Sequence, residues 1–283
     1  KPVLLANTEF KVFDLNKNAY VEQVTTYPVT KVHKSYFTDK DGYLILPNSL
    51  RPGNYRIEEV TAPDGYTLNG NHVTVAVDTN TAFLMDSVSG DAIITVEYEN
   101  HPVKGQLTIY KQGEMLTSYD GEFHYEMKGL EGAEFEVYAA EDIYTADYQV
   151  DENGNRLLYF AKDALVANVA TNEEGKAVVK NLPLGKYYVK ETKATDGFVL
   201  NTTIQDSEFV YADQNTPVIF DEMTYTNERQ KVSITVEKQD AETGDVVEGA
   251  VFGIYNAEDI KDRSGNILVT ADSLLQEMTT GED

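Results

Sequence analysis

The chain of 283 residues contains no cysteine and no tryptophan. Without cysteine it forms neither disulfides nor thiolate metal sites, so a secreted protein of this sequence would need another kind of covalent staple. Basic residues are also scarce, since 23 Lys and Arg stand against 48 Asp and Glu, for a formal net charge of -25. A charge of this sign and size repels nucleic acid and anionic membrane surfaces, so neither is expected as a partner.

Long hydrophobic runs are missing as well. No apolar stretch approaches the roughly 18 to 20 residues of a membrane helix, and the first residues lack the layout of a signal peptide. We therefore expect no membrane contact by this segment. The four histidines are scattered, and the oxygen-rich stretches at 38–43 and 151–155 are more typical of turns than of calcium loops. The sequence predicts no metal site and no cofactor.

The chain repeats itself. "NHPVKGQLTIYK" at 100–111 matches "NERQKVSITVEK" at 227–238, which gives a period of 127 residues (227 − 100). "LEGAEFEVYAAEDI" at 130 likewise matches "VEGAVFGIYNAEDI" at 247, and "TEFKVFDL" at 8 is the same element in an earlier copy. We predict three domains: 1–101, which lacks its first strand, 102–229, which is complete, and 230–283, the N-terminal part of a third.

The pattern within the complete copy is mostly that of strands. Short runs of alternating polarity, such as "QLTIYK" and "KYYVKET", are separated by turn signals such as "ENGN" and "TDGF". One short helix is predicted at 161–168. The fold class expected from this spacing is all-β, with one antiparallel β-sandwich per copy.

Polar residues end several of the apolar rows. Because alternate side chains of a strand share a face, Lys111 lies on the face of Leu107 and Ile109. Glu191 and Asn227 end two other inward-facing rows in the same way. The pattern recurs in the incomplete copies, at Glu59 and Asn100 in the first and at Lys238 in the third. The sequence thus directs a lysine, a glutamate and an asparagine into one core.

Three such groups can react with one another. Burial lowers the pKa of a lysine and raises that of a glutamate, which favours a neutral amine beside a neutral acid. The amine of Lys111 could then attack the amide carbon of Asn227, with Glu191 bonded to the amide oxygen and carrying a proton to the departing nitrogen. The product is an isopeptide cross-link. The alternative is a buried Lys-Glu salt bridge beside an asparagine that caps a turn.

The order of these elements resembles a known family. A lysine strand, "LEGAEFEVY", "LPLGKYYVKETKATDGF" and a terminal "YTN" are similar to the Cna B-type domains of Gram-positive surface adhesins and pilins. The resemblance implies an inverse-immunoglobulin, prealbumin-like sandwich with a self-formed Lys-Asn isopeptide bond. It places the reacting pair at Lys111 and Asn227 and the catalytic acid at Glu191. Glu59, Asn100 and Lys238 fall at incomplete sites.

The resemblance implies a structural stalk segment of a cell-wall surface protein, extracellular and not an enzyme beyond one self-cross-linking event. Neighbouring domains of the same surface protein are the expected partners, since stacked copies of one unit form a rod. The alternative is an adhesive module that contacts host matrix protein or glycan directly. Exchange of the Lys238 strand into the first copy of a second molecule also remains open.

Overall fold

The structure is a computed structural model that describes residues 4–79, 84–85, 92–146 and 149–281. Across these residues the chain forms strands, turns and extended segments, and none of them lies in a helix. The described part of the chain accordingly holds no helix that could cross a membrane. The all-β prediction is confirmed.

The first part of the chain forms one main antiparallel sheet. The strands of this part are β1 (Glu9–Asp14), β2 (Ala19–Tyr20), β3 (Gln23–Thr25), β4 (Lys31–His33), β5 (Tyr36–Phe37), β6 (Gly53–Thr61), β7 (His72–Val77), β8 (Leu84–Met85) and β9 (Ala92–Ile93). Strands β3 and β4 form a separate pair, as do β8 and β9. The sheet order is β2-β1-β6-β7, with β5 added to β1. Its core consists of Val12, Tyr36 and Tyr55, with aliphatic side chains packed around them.

The middle part contains two packed sheets. Its strands are β10 (Lys104–Tyr119), β11 (Phe123–Gly129), β12 (Glu134–Ala139), β13 (Ile143–Tyr144), β14 (Leu158–Phe160), β15 (Leu165–Ala170), β16 (Lys176–Leu182), β17 (Gly185–Lys193), β18 (Gln205–Phe209) and β19 (Val218–Asn227). One sheet has the order β11-β10-β16 with β19 on β10, and the other has the order β15-β12-β17-β18. Together they form the sandwich that the sequence predicts.

The inner faces of the two sheets share one core. Leu107 and Ile109 of β10 face Phe135 of β12, with Val189 of β17 and Tyr225 of β19 beside them, and all are at most 1 % exposed. Because alternate residues of these strands are apolar, each strand buries one side and leaves the other to solvent. This core is much larger than that of the first part, so the middle part is the more complete unit.

The first and last strands of the middle part run parallel. Strand β10 pairs with β19 from Lys104↔Val218 to Gly113↔Asn227. On its other side, β10 pairs antiparallel with β16, and beyond residue 111 it continues into a hairpin with β11. The central position of β10 brings its inward side chains next to those of β19.

The last part of the chain holds β20 (Val251–Tyr255), β21 (Ile260–Lys261), β22 (Ile267–Val269) and β23 (Leu274–Thr279). Strands β20 and β23 pair antiparallel, as do β21 and β22. The predicted boundaries after residues 101 and 229 fall between the main sheets, and they stay a prediction.

Hydrogen bonds join the three parts of the chain. The side chain of Gln214 accepts from the amide of Ala62 at 2.9 Å and donates to the carbonyl of Val60 at 3.2 Å. At the other end, the Arg263 guanidinium donates to the carbonyl of Gly129 at 2.8 Å and to the Glu131 carboxylate at 3.0 Å. Each predicted copy therefore contacts the next through side chains as well as through the connecting backbone.

The helix predicted at 161–168 is wrong. Residues 161–164 form a tight turn, with the amide of Ala164 bonded to the carbonyl of Ala161 and Asp163 in the left-handed region at φ 64. The chain then enters β15, which pairs with β12. Alanine and leucine favour a helix locally, but pairing at the edge of β12 overrides that preference.

The two oxygen-rich stretches form turns. Asp39 Oδ1 accepts from the amides of Asp41 and Tyr43, and Asp151 Oδ1 accepts from those of Asn153 and Asn155. Side-chain oxygens that bond to the backbone in this way stabilise a turn. The described residues hold no group of three or more His, Asp or Glu side chains that could bind a metal ion.

Candidate functional site

The structure brings Lys111, Glu191 and Asn227 together in the middle sandwich. They lie on β10, β17 and β19, at the end of the core where β10 continues into its hairpin. Lys111 is 1 % exposed, Glu191 5 % and Asn227 2 %. The inward rows of three strands therefore converge on one buried polar cluster.

Glu191 bridges the other two side chains. Lys111 Nζ donates to Glu191 Oε2 at 3.0 Å, and Asn227 Nδ2 donates to Glu191 Oε1 at 2.8 Å. Lys111 Nζ also donates to Asn227 Oδ1. The lysine nitrogen thus lies against the asparagine amide, and one carboxylate contacts both the amine and the amide nitrogen.

The contact between glutamate and amide differs from the expected one. The sequence argument places Glu191 against the amide oxygen of Asn227, but the structure places it against the amide nitrogen. Glu191 is the acceptor in all three of its contacts, including one from the backbone amide of Asn201 at 2.9 Å. An ionised carboxylate can only accept hydrogen bonds, so this pattern suits an ion pair between Lys111 and Glu191.

Aromatic side chains enclose the lysine. The rings of Phe135 and Tyr225 have their centres 5.9 Å and 5.7 Å from Lys111 Nζ. The Tyr225 hydroxyl donates to the carbonyl of Val189 at 2.7 Å, which fixes the ring. Burial lowers the pKa of Lys111, although the hydrogen bond and the charge of Glu191 oppose that shift. A lowered pKa reduces the free energy needed to deprotonate Lys111 to the neutral, nucleophilic amine.

The first part of the chain holds a matching half of this site. Asn100 Nδ2 donates to Glu59 Oε1 at 2.6 Å, and the backbone amide of Asn69 donates to Glu59 Oε2 at 3.2 Å. Burial raises the pKa of Glu59, while the hydrogen bonds from Asn100 and Asn69 oppose the shift. Among the described residues no lysine stands here as Lys111 does in the middle part.

Lys238 lies apart from both clusters. Its side chain is exposed and donates to the carbonyl of Gln239 at 2.9 Å. The structure therefore assembles one complete trio, one glutamate-asparagine pair and one separate lysine. The reaction that the sequence assigns to these residues stays a prediction.

Sequence reasoning missed the residue that orients each glutamate. Asn201 and Asn69 both lie ten positions after their glutamate and donate a backbone amide to it. The side chain of each also donates to the backbone carbonyl of the residue just before the asparagine of its cluster, at Thr226 and at Glu99. The equal spacing of the Leu-Asn pairs in "TLNGN" and "VLNTT" is the signal that could have identified them.

Comparison with known proteins identifies the fold family. The SpaA prealbumin-like fold domain matches residues 3–89 and 124–223, more than half of the chain. The chain therefore belongs to the SpaA prealbumin-like fold family. The predicted fold is confirmed. Lys111 lies between the two matched ranges and Asn227 lies after the second, so neither residue is part of the match. No curated protein matches the sequence.

Several solved structures are similar to this chain, and the first of them shares its fold. The Bacillus anthracis TIE protein is 22% identical over 99% of this chain, with a TM-score of 0.53, and this chain spans 41% of its length. The minor pilin GBS52 of Streptococcus agalactiae is 15% identical, covering 84% of this chain and 89% of its own, with a TM-score of 0.31. The shaft pilin SpaA of Lactobacillus rhamnosus GG is 13% identical, covering 81% and 87%, with a TM-score of 0.30.

Proposed function

We propose that the chain is a structural stalk segment of a Gram-positive cell-surface adhesin or pilin, stiffened by a self-formed Lys-Asn isopeptide bond. The observation that carries this proposal is the buried trio of Lys111, Glu191 and Asn227. The segment would lie outside the cell at the cell wall, with neighbouring domains of the same protein as its partners. It would react once with itself, need no cofactor and turn over no substrate.

The reaction starts from the ion pair. A proton passes from Lys111 Nζ to Glu191 over the 3.0 Å contact, which leaves a neutral amine and a neutral acid. Rotation of the Asn227 amide by half a turn then brings its oxygen to the acid, which donates a hydrogen bond and polarises the carbonyl. In this scheme Glu191 first contacts the amide nitrogen of Asn227, as in the structure. It contacts the amide oxygen only after the amide has rotated.

The bond exchange is balanced within the trio. The neutral Nζ of Lys111 attacks Cγ of Asn227, the Cγ–Nζ bond forms and the Cγ–Nδ2 bond breaks. One proton of the amine passes through Glu191 to Nδ2, which leaves as ammonia. The core holds the amine and the amide in contact and excludes water. Holding reacting groups in position in this way can lower the activation barrier by about 7 to 11 kcal/mol.

The contacts between copies support the stalk. The side chain of Gln214 and the backbone bond from Val103 to the carbonyl of Gly65, at 2.8 Å, hold the first part against the middle part. Arg263 holds the last part against the middle part. Units joined at each junction by several hydrogen bonds suit a rod better than a chain of loosely tethered modules.

The purified chain is expected to weigh one ammonia less than its sequence mass. Intact mass spectrometry under denaturing conditions measures this difference directly. Asn227→Ala should abolish the deficit because it removes the reacting carbon, whereas Asn100→Ala should leave the deficit of the monomer unchanged. A wild-type chain at its full sequence mass would contradict the proposed chemistry.

An adhesive module is the second candidate. Exposed apolar side chains in the first part favour it, since Tyr27 is 89% exposed, Ile45 82% and Val29 73%. Host matrix protein or glycan would be the partner on this interpretation. Saturable binding of the whole chain on matrix proteins or a glycan array would support the adhesive role, and its absence would leave the stalk as the better account.

A further inference from the structure

A cavity of about 280 Å³ lies where the first part of the chain meets the middle part. Asp64 and Gly65 form its wall on the side of the first part, and the β13–β14 pair, the start of β10 and the turn before β17 form much of the rest. It lies at the end of the sandwich opposite Lys111, because Lys104 and Gly185 are the first residues of β10 and β17. The cavity is therefore separate from the site of the proposed cross-link.

Backbone hydrogen bonds hold the two sides of the cavity together. The amide of Val103 donates to the carbonyl of Gly65 at 2.8 Å, and the amide of Thr67 donates to the carbonyl of His101, also at 2.8 Å. Gly65 lies so close to the middle part that a Cβ there would be 2.8 Å from the Cβ of Ala146. A cavity held in this way is formed before any ligand arrives, as is common for sites that bind small molecules.

Lys104 lines this cavity without a carboxylate partner. Its ammonium nitrogen lies 5.6 Å from the centre of the Tyr159 ring, and it forms no ion pair with any described residue. Burial lowers the pKa of Lys104, and within the described part of the chain no carboxylate offsets that shift. In a chain with 48 acidic side chains, a half-buried lysine of this kind leaves hydrogen-bond donors open to a ligand.

Side chains of both charges line the cavity. The Arg156 guanidinium lies 4.5 Å from the centre of the Tyr144 ring, and the carboxylates of Asp64, Glu141 and Asp142 also belong to the lining. An ion of either sign would be attracted by one of these sets and repelled by the other. A neutral group with several hydroxyls can instead donate to the carboxylates and accept from the cations at the same time.

Tyrosine rings supply the apolar part of the wall, at Tyr144, Tyr159 and Tyr211. Such rings pack against carbon-bound hydrogens, while their hydroxyls give further hydrogen bonds. Burial and, after it, the charge of Asp64 raise the pKa of Tyr211, so its hydroxyl stays protonated and can donate. Thr145 Oγ1 is buried in the same wall and has no hydrogen-bond partner among the described residues. A bound group with hydroxyls can satisfy it.

We propose that this cavity binds one neutral sugar residue of a glycan. The carboxylates would accept from its hydroxyls, Lys104 and Arg156 would donate to them, and the tyrosine rings would pack on its carbon framework. The combination of both charges, three tyrosines and a lysine without an ionic partner in one preformed cavity of the described chain supports this ligand class. The inference rests on the second candidate function, to which it gives a site, and does not depend on the cross-linking chemistry.

A glycan array probed with the whole chain tests the ligand class. We expect saturable binding to glycans that end in a neutral sugar, with terminal galactose, glucose, mannose and N-acetylglucosamine as the probes. The methyl glycoside of the sugar that is recognised should then bind the chain in solution at a single site, as measured by calorimetry. Binding confined to glycans that end in sialic or uronic acid would overturn the proposal, because it would indicate an anion site. An array without any bound glycan would overturn it as well.

Two lysine variants locate the binding site. Lys104→Met keeps most of the side-chain carbons but removes the donors, so the affinity for the sugar should fall by roughly 10- to 100-fold, the effect of losing hydrogen bonds from a charged group. Lys176→Met is the matched control, since Lys176 Nζ lies 5.8 Å from the centre of the Tyr110 ring, outside the cavity. Its affinity should equal that of wild type. Equal affinities of wild type and Lys104→Met would overturn the cavity as the site.

Tyr159→Ala tests the same wall without a change in β10. The ring is 48% exposed, so its loss should leave thermal unfolding nearly unchanged and still weaken sugar binding. Intact mass, measured on the same preparations, keeps this inference apart from the proposed cross-link. A chain that loses its ammonia and binds no sugar would overturn the sugar site and leave the stalk in place. Glycan binding that survives both Lys104→Met and Tyr159→Ala would overturn this cavity as the site and leave the adhesive candidate standing.

Discussion

The Glu191→Gln variant is expected to fold, to have the full mass of its own sequence without the loss of ammonia proposed for wild type, and to lose much of its thermal stability. A primary amide fills the same space as the carboxylate but cannot carry the proton from Lys111 to the leaving nitrogen. The missing bond would have closed a loop of 116 residues. By analogy with disulfides, such a loop stabilises the fold by about 4 to 5 kcal/mol, through restriction of the unfolded chain.

Glu191→Ala should lose more than the glutamine variant. It removes the cross-link and also leaves the Lys111 ammonium buried without its partner, which alone costs about 3 to 5 kcal/mol. Intact mass, thermal unfolding and the rate of proteolysis would separate the two contributions. The salt-bridge interpretation instead predicts that wild type and both variants all have their full sequence masses, with no loss of ammonia.

Glu59→Gln is the matched control for Glu191→Gln. It makes the same substitution at the buried glutamate of the first part, where no lysine is in reach among the described residues. The mass of the monomer should then change only by the substitution. A Glu191→Gln chain that keeps the ammonia deficit, with a tryptic peptide joining Lys111 to Asn227, would show that Glu191 is not the catalyst.

Gly175→Ala is expected to give the second large effect. Gly175 has φ +74, and a Cβ there would lie 2.3 Å from the carbonyl oxygen of Lys111 and 2.6 Å from the amide nitrogen of Leu130. Both atoms are backbone and cannot move aside cheaply. The substitution should therefore displace β10 at Lys111, destabilise the fold and slow the cross-linking reaction, as measured by unfolding and by mass during refolding.

Gly132→Ala isolates the effect of the close contact. Gly132 has nearly the same φ, +77, but a Cβ there meets nothing within 4 Å. Gly132→Ala should lower the free energy of unfolding by about 1 to 2 kcal/mol, which is the cost of placing an alanine in the left-handed region. Gly175→Ala should cost about 1 to 3 kcal/mol more, in the range of other overpacked sites. Equal losses for the two variants would mean that the contact at Lys111 does not constrain β10.

The sequence could predict which side chains of each strand face the core, that is, the side-chain parity of the strands. Apolar alternation shows which side of β10, β17 and β19 faces the core, and each row ends on the polar residue that the structure buries. Parity does not determine how an amide is oriented, because that depends on hydrogen bonds with a third strand or loop. The placement of Glu191 against the amide nitrogen was therefore beyond the sequence, whereas the contact from Asn201 left a signal in the repeated Leu-Asn pair.

Features set by long-range pairing were also missed. The predicted helix at 161–168 is wrong because the edge of β12 takes residues 165–170 as a strand. The hairpin of β10 and β11 extends past the cluster, and its base at Gly129 accepts a bond from Arg263 of the last part. Neither the pairing partner of an edge strand nor a contact between copies leaves a local pattern in the sequence.

The parallel pairing of β10 with β19 determines how the middle part responds to a pull along the chain. The chain enters β10 at Lys104 and leaves β19 at Asn227, so tension draws the two strands in opposite directions along their common length. Their backbone hydrogen bonds, which lie across that direction, are then loaded in shear, and the proposed bond between Lys111 and Asn227 would join the same two strands covalently. In an antiparallel hairpin pulled from its open end, the bonds would separate one after another. Tension on the chain thus passes through the pairing of the first and last strands of the middle part.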